Sequence, residues 1–244
     1  MNIVITAGGT SEYIDTVRKI TNSSSGKLGS LIVESLDREG NEIWYIHSPK
    51  AVLPQCMSCR IHDIVITSTM ELKKEVEDVL TCNQIDWFIH SMAVSDYIVQ
   101  SVTTAEMLAD NLKTHGISAA NILDNTKVLN RLDKISSDEE SLVLTLKKAP
   151  KIIGIVKQLS PGTKLVGFKL LSNASPQDLI KAAMGLLHRN GCEFVIANDL
   201  SQIDSHHHRA MFVGKDGVFA KAETKHGIAN KLKEYILSYQ QENS

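Results

Sequence analysis

Short apolar runs rich in β-branched and aromatic residues alternate with amphipathic stretches along most of this chain. That alternation calls for a parallel sheet covered by helices on both faces. Ile3–Ile5, Ile43–Ile46, Ile61–Ile66, Asp86–His90, Lys164–Phe168 and Phe194–Ala197 read as strands. Between them, Lys27–Arg38 sets Leu28, Leu31, Ile32 and Leu36 on one face and ends at Gly40, Met70–Leu80 carries Leu72, Val76 and Leu80 at helical spacing, and a further helix covers Pro176–Arg189. The fold expected is α/β: Rossmann-like, doubly wound, with a mainly parallel sheet. Arg209–Val213 and Val218–Ala222 flank a Gly214-Lys215-Asp216-Gly217 turn and read as an antiparallel hairpin, followed by a helix over Ile228–Tyr239. Residues 97–146 break the rhythm, with apolar ends at Tyr97–Val99 and Leu142–Leu146, and read as a projecting strand arm or flap. With five prolines and no Ser/Gly-rich linker, the chain is read as a single domain over residues 1–244.

The opening of the chain is built to hold an anion. Ile3-Val4-Ile5 runs into Thr6-Ala7-Gly8-Gly9-Thr10, and Asn22-Ser23-Ser24-Ser25-Gly26-Lys27 precedes the first helix. Paired glycines let backbone amides approach a phosphate or carboxylate, while serine hydroxyls, free helix-start N–H groups and a lysine add donors and charge. Two generic motifs are excluded. A P-loop has a glycine where Thr21 stands and a Ser or Thr where Leu28 stands, and Gly8-Gly9-Thr10 is not a G-x-G-x-x-G turn. Ser95-Asp96, Phe168 and Asn198-Asp199 fall at the ends of the expected strands, where open parallel sheets bind ligands.

Twenty-six basic residues against 28 acidic ones leave no field for nonspecific nucleic-acid binding, so the expected partner is small. No apolar run approaches a membrane span and no leader precedes the first strand, so a cytoplasmic location is expected. Cys56, Cys59, Cys82 and Cys192 are too scattered for a disulfide framework and read as reduced thiols; His206-His207-His208 reads as a surface loop, and no metal site is assigned.

Taken in order, the opening loop, Ala93-Val94-Ser95-Asp96-Tyr97, Lys147-Lys148-Ala149-Pro150, Val166-Gly167-Phe168-Lys169-Leu170 and Ile196-Ala197-Asn198-Asp199 make the chain resemble the phosphopantothenate–cysteine ligases (phosphopantothenoylcysteine synthetases). The most specific part runs from Ile5 to Gly29 and includes Asp15-Thr16-Val17-Arg18. The likeness is to the standalone bacterial form, because nothing precedes the first strand where bifunctional relatives carry a flavin-dependent decarboxylase. It implies a ligase of coenzyme A biosynthesis that joins 4′-phosphopantothenate and L-cysteine through an acyl-cytidylate, with CTP as co-substrate, Mg²⁺ on the triphosphate, and a homodimer whose arm closes over the site.

By position, the resemblance makes Gly8, Gly9, Ser24, Ser25, Gly26 and Lys27 the phosphate cradle and Asn22 the amide that holds the acyl carbonyl. Base recognition falls on Ser91, Met92, Ala93 and Asp96, on Pro150, Lys151, Ile152 and Ile153, and on Phe168. The family's flap lysine is assigned to Lys134, with Lys113 and Lys127 as alternatives, and Lys181 and Arg189 are the nearest cations for the lysines that precede the last Ala-Asn-Asp strand. Lys169-Leu170-Leu171 replaces the common Ala-Ala-Glu, a pattern shared with ATP-using relatives, so ATP stays open beside CTP. Two other classes compete: a nicotinamide-dependent reductase and a nucleotide-binding regulatory module. The second strand ends in His47-Ser48-Pro49 rather than the acidic residue a reductase carries, and a sensor has no use for an Asn22-type group.

Overall fold

The computed structural model describes the chain except residues 38, 56, 57, 59, 124–127, 130–132, 205, 243 and 244. Strand β1 (Asn2–Ala7) lies near the middle of the sheet, between β4 (Glu42–His47) and β6 (Trp87–His90), with Ile3, Val4 and Ile5 fully buried. A parallel strand covered on both faces needs no polar alternation, and Ile-Val-Ile shows none. Beyond β4 lies β5 (Ile61–Val65); beyond β6 come β9 (Lys164–Leu171), β10 (Phe194–Ile203), β11 (His208–Gly214) and β12 (Gly217–Ala222), completing eight strands in the order β12-β11-β10-β9-β6-β1-β4-β5. All pairs are parallel except those that β11 makes with β10 and with β12.

Helices α1 (Lys27–Asp37) and α7 (Lys225–Glu242) cover one face, over a core that includes Ile3, Ile5, Tyr45, Ile89, Val166 and Phe194. On the other face α2 (Thr69–Cys82), α5 (Ile152–Leu159) and α6 (Pro176–Asn190) pack over Val4, Phe88, Leu165 and Val195. The helix ends follow local chemistry. Ser175 Oγ accepts the Asp178 N–H (3.1 Å) ahead of Pro176, and Gly191, left-handed at φ 60°, closes α6.

Strands β9 and β10 run on past the ends read from the sequence, because β10 keeps pairing with β9 out to Asp199–Leu171 and meets β11 again at Ile203–His208. Phe168 and Asn198 therefore lie within strands rather than at their ends. Several elements carry no sequence signal that was read: the short hairpin β2 (Ser11–Tyr13) and β3 (Lys19–Thr21), helix α5, and within the excursion α3 (Ala105–His115) and α4 (Ala119–Leu123).

The two ends of the excursion are not unpartnered strands. They are β7 (Tyr97–Thr103) and β8 (Val143–Lys148), which pair with each other as an antiparallel ribbon outside the main sheet. The ribbon has a small core of its own, in which Val99, Val102 and Ile135 are buried against Ile14, Leu142 and Leu144. A carboxylate ties this unit to the body. Buried Asp15 accepts the N–H groups of Val17 (2.8 Å) and Arg18 (2.7 Å) through Oδ1 and that of Ile135 (3.2 Å) through Oδ2, while Arg18 Nη2 donates to the Ile135 carbonyl (3.1 Å). Ile135 is gripped at both its amide and its carbonyl.

The Arg18 N–H, ahead of the Val17 and Ile135 amides and the guanidinium, holds the Asp15 carboxyl below its ordinary range. A carboxylate favoured in this way stabilises the fold above its unfolded value and loses that contribution as pH falls through its folded value. Asp15→Ala is expected to speed hydrogen exchange at the Ile135 amide roughly 10-fold, the scale of an orphaned buried donor, while the amides of β1 and β6 stay protected. Acidification should reduce Ile135 protection, relative to intrinsic exchange, in the parent and leave the variant unaffected; amide-resolved NMR exchange reads both.

Candidate active site

From β1 the chain winds outward to β4 and β5, then crosses back to β6 on the other side of β1, so the carboxyl ends of β1 and β6 form a topological switch point. Ligand crevices of open α/β sheets lie there. The two strand ends are laced together: the Ala93 N–H donates to the Gly8 carbonyl (2.9 Å), and the Thr10 N–H donates to the Ala93 carbonyl (3.1 Å). Asn22 returns from β3 into this junction, its own N–H on the Thr10 carbonyl (3.0 Å) and its Nδ2 on the Ala93 carbonyl (3.3 Å).

The approach is too close for side chains. A Cβ at Gly9 would lie 2.1 Å from the Asn22 carbonyl oxygen, and one at Gly8, whose φ is +85°, would lie 2.1 Å from Ser48 Oγ. Gly26, at φ +68°, faces Ala51 in the same manner, with 2.7 Å between a would-be Cβ and the Ala51 methyl. Ser24 and Ser25 accept the Gly26 and Lys27 N–H groups only at 3.5 and 3.4 Å, so the start of α1 holds its amides loosely. No acidic side chain occupies the first turn of α1, and Lys27 makes no ion pair among the described residues. The positive helix end is open to an anion.

A third wall of this cradle, the turn at residues 48–52, was missed from sequence. Ser48 donates its N–H to Ala7 (3.2 Å) and accepts the Gly9 N–H on Oγ (3.3 Å), and the Val52 N–H donates to the Ser25 carbonyl (2.8 Å). Buried His47 braces the turn, Nδ1 meeting the Ser48 carbonyl at 2.9 Å and Nε2 meeting Asp63 Oδ1 at 2.8 Å. The only signal was His-Ser-Pro at the end of a strand, which served merely to exclude a reductase.

Beside the cradle, the residues assigned to base recognition come together unevenly. Exposed Asp96 and Lys151 form an ion pair, and the Ala149 N–H donates to the Asp96 carbonyl (2.9 Å), so the loop after β6 and the start of α5 are in register. Ser91 Oγ donates to the Thr6 carbonyl (2.6 Å). The side chains of Met92 and Ile152 are buried in the second core, with Ile153 packed on it and Pro150 half-buried beside it, so Met92 and Ile152 offer a ligand their backbones. Phe168 packs on the first core, on the opposite face of the sheet, and reaches the crevice only at its rim, one residue beyond the level of His90.

Among the lysines, exposed Lys134 precedes the gripped Ile135, whereas Lys113 lies on α3 beside Asp110 (3.6 Å); Lys127 lies outside the described residues. Lys181 is exposed on α6. Arg189 is in the last turn of α6, at the far end of that helix from the crevice, because the helix runs antiparallel to the strands it covers; it is not placed to serve the site. Asp199 is also committed elsewhere, since it accepts the N–H groups of Asn173 (3.0 Å), Ala174 (2.6 Å) and Ser201 (2.8 Å) and the Ser201 hydroxyl (2.7 Å). Led by the Ser201 hydroxyl, these bonds hold its carboxyl below the ordinary range. His206 and His207 sit in a turn whose amides donate to Asp204 (2.7 Å each). Cys192 is buried and Cys82 exposed, both as free thiols, while Cys56 and Cys59 lie outside the described residues. A cavity of ≈ 540 Å³ bounded by Met1, Trp87, Thr163, Lys164 and Tyr239 opens at the amino ends of β1, β6 and β9, at the other end of the strands from the cradle. Among the described residues, no helix is long and apolar enough to cross a membrane.

The DNA/pantothenate metabolism flavoprotein C-terminal domain family matches residues 1–115 and 101–239. This chain belongs to that family. The coenzyme A biosynthesis bifunctional protein CoaBC of Thermococcus kodakarensis is 33% identical over 233 residues, covering 94% of this chain and 49% of that protein. Its counterpart in Methanocaldococcus jannaschii is 30% identical over 82% of this chain and 41% of its own length, so the chain spans about half the length of the curated relatives it matches. The crystal structure of the DNA/pantothenate metabolism flavoprotein from Streptococcus pneumoniae superposes with a TM-score of 0.86 at 39% identity, over 98% of this chain and 99% of that one. The C-terminal domain of a CoaBC protein shares the fold, with a TM-score of 0.69 at 21% identity, over 99% and 96% of the two chains.

In this family member, the Gly9 contact gives a direct test. Gly9→Ala should lower stability by about 1–3 kcal/mol, the cost of overpacking a fixed backbone, whereas Gly162→Ala, which meets no atom within 4 Å, should be neutral or slightly stabilising. Denaturant melts of the two variants check this.

Proposed function

We propose that this chain is a phosphopantothenate–cysteine ligase that activates its acid with CTP. The observation that carries the reading is the convergence of an amide side chain, Asn22, with an open helix start and glycine-lined backbone at one switch point. A carboxylate does not acylate an amine unaided. The 4′-phosphopantothenate carboxylate attacks the α-phosphorus of CTP and expels pyrophosphate; the cysteine amine then attacks the acyl carbon, CMP leaves with the bonding pair, and the amine gives up its proton.

Negative charge grows on phosphate oxygens in the first step and on the acyl oxygen in the second, so fixed donors provide most of the catalysis. In this reading the triphosphate takes the Gly8 amide, the Gly9 and Gly26 amides in exchange for their long bonds to Ser48 Oγ and Ser24 Oγ, the hydroxyls of Ser24 and Ser25, and Lys27. Asn22 Nδ2 exchanges the Ala93 carbonyl for the acyl oxygen, and Lys134 adds a cation from the arm. Magnesium travels on the triphosphate as its counter-ion, since amides, hydroxyls and a lysine suit phosphate oxygens rather than a metal. The product assigned here is the molecule named in the complex of Cab2, whose fold this chain shares. Tyr97 and Leu146 remain exposed on the β7–β8 ribbon and support a two-fold dimer through the arm.

With phosphopantothenate and CTP but no cysteine, the enzyme is expected to release about one equivalent of pyrophosphate per site, since activation precedes amine attack. No cysteine-independent pyrophosphate would refute the two-step reading. Asn22→Ala should slow turnover by roughly 10²–10³, the loss seen when an oxyanion donor is removed, with the melt unchanged. Lys134→Gln should depress intermediate formation far more than Lys113→Gln; equal effects in a quench assay would remove Lys134 from the site.

A further inference from the structure

His90 is the last residue of β6 and lies level with Thr6 at the end of β1, so it stands at the switch point itself. Its Nδ1 lies 2.9 Å from Thr6 Oγ1, and the same hydroxyl receives the Met92 N–H at 3.3 Å. Among the described residues His90 Nδ1 is the one acceptor that the buried Thr6 hydroxyl meets, so with Nδ1 accepting that proton is satisfied and the ring proton of His90 sits on Nε2. Among the described residues Nε2–H has no hydrogen-bond partner, and the residue keeps 9% exposure.

The surroundings fit a heterocycle. His90 shares a face with Val4, Phe88 and Met92, and its neighbour across β9 is Gly167, which presents no side chain to screen the ring. Ile153 Cδ1 lies 3.3 Å from where a Cβ on Gly167 would stand, so the start of α5 closes the same corner. Burial pushes the imidazole down to about 4, which leaves it uncharged at neutral pH and suits it to a neutral ring rather than to phosphate.

We infer that His90 is a specificity residue for the nucleobase: its Nε2–H, aimed by Thr6, donates to a carbonyl or ring-nitrogen acceptor on the base edge. This rests on the nucleotide reading above. It adds a neutral polar side chain beside the backbones of Met92 and Ile152 and the aliphatic surface of Ile153.

Isothermal titration with CTP and with inorganic tripolyphosphate tests it, because tripolyphosphate engages the cradle alone. His90→Leu should weaken CTP by about 3–10-fold, the worth of one neutral hydrogen bond, and leave tripolyphosphate unchanged. His90→Gln, whose amide nitrogen falls near the position of Nε2, should restore most of the loss. CTP affinity unchanged in His90→Leu, or an equal loss for both probes, would overturn the proposal, the second outcome marking a brace for the strand ends. Should His90→Leu not fold, the parent decides: the His90 ring nitrogen signals should shift with CTP and stay put with tripolyphosphate, and no CTP shift refutes the contact. A parent that binds CTP no tighter than tripolyphosphate would instead bring down the nucleotide reading, and the inference with it.

Discussion

The whole site depends on a backbone approach that no side chain can share. Gly9 and the Asn22 carbonyl are so close that a single methyl would part them, and Gly8 and Gly26 press on Ser48 and Ala51 in the same way. Three loops from distant parts of the chain thereby reach one point and bond to one another there. Much of the nearby hydrogen bonding serves that approach: Thr10 alone is bonded to Ala93, Asn22, Ser95 and Thr69, joining β1, β3, the loop after β6 and the start of α2.

Buried carboxylates near the site are satisfied chiefly by backbone N–H groups, with Arg18 as an added counter-ion only at Asp15. Glu12 accepts the first amide of α2 at 3.0 Å, Asp15 takes three amides, and Asp199 takes three amides and a hydroxyl. A carboxylate satisfied by N–H groups fixes loop geometry without the desolvation of a second ion. It also leaves Lys27 and Lys134 uncommitted to acidic residues.

The sheet and the cradle were legible because their signals are local: buried β-branched runs, helical spacing and glycine pairs all lie within a few residues of one another. What was not legible depends on distance or on weak periodicity. The strands β2 and β3 have three residues each, too few for alternation to show. Helix α3 sets Ala105, Leu108, Ala109 and Leu112 on one face but buries only Asn111, so its stripe is half alanine and covers no core, and Ile-Ile-Gly-Ile-Val in α5 is as compatible with a strand. The part played by Asp15 depends on a partner 120 residues away, and the turn at 48–52 is defined only by what it touches. The residues that converge at the end of β1 were easier to see in the sequence than the ones that hold them in place.

The arm has a core separate from the two that flank the sheet, and it joins the body through the turn between β2 and β3. The same hairpin delivers Asn22 one residue after β3 ends. Local melting of the arm would cost only its own small core, and it would be felt at Asn22 across a three-residue strand. Ordering is then a shared quantity: a molecule that fixes Asn22 lowers the free energy of the folded arm by as much as the folded arm strengthens its grip on that molecule. The hairpin is thus a thermodynamic coupler between Asn22 and the arm.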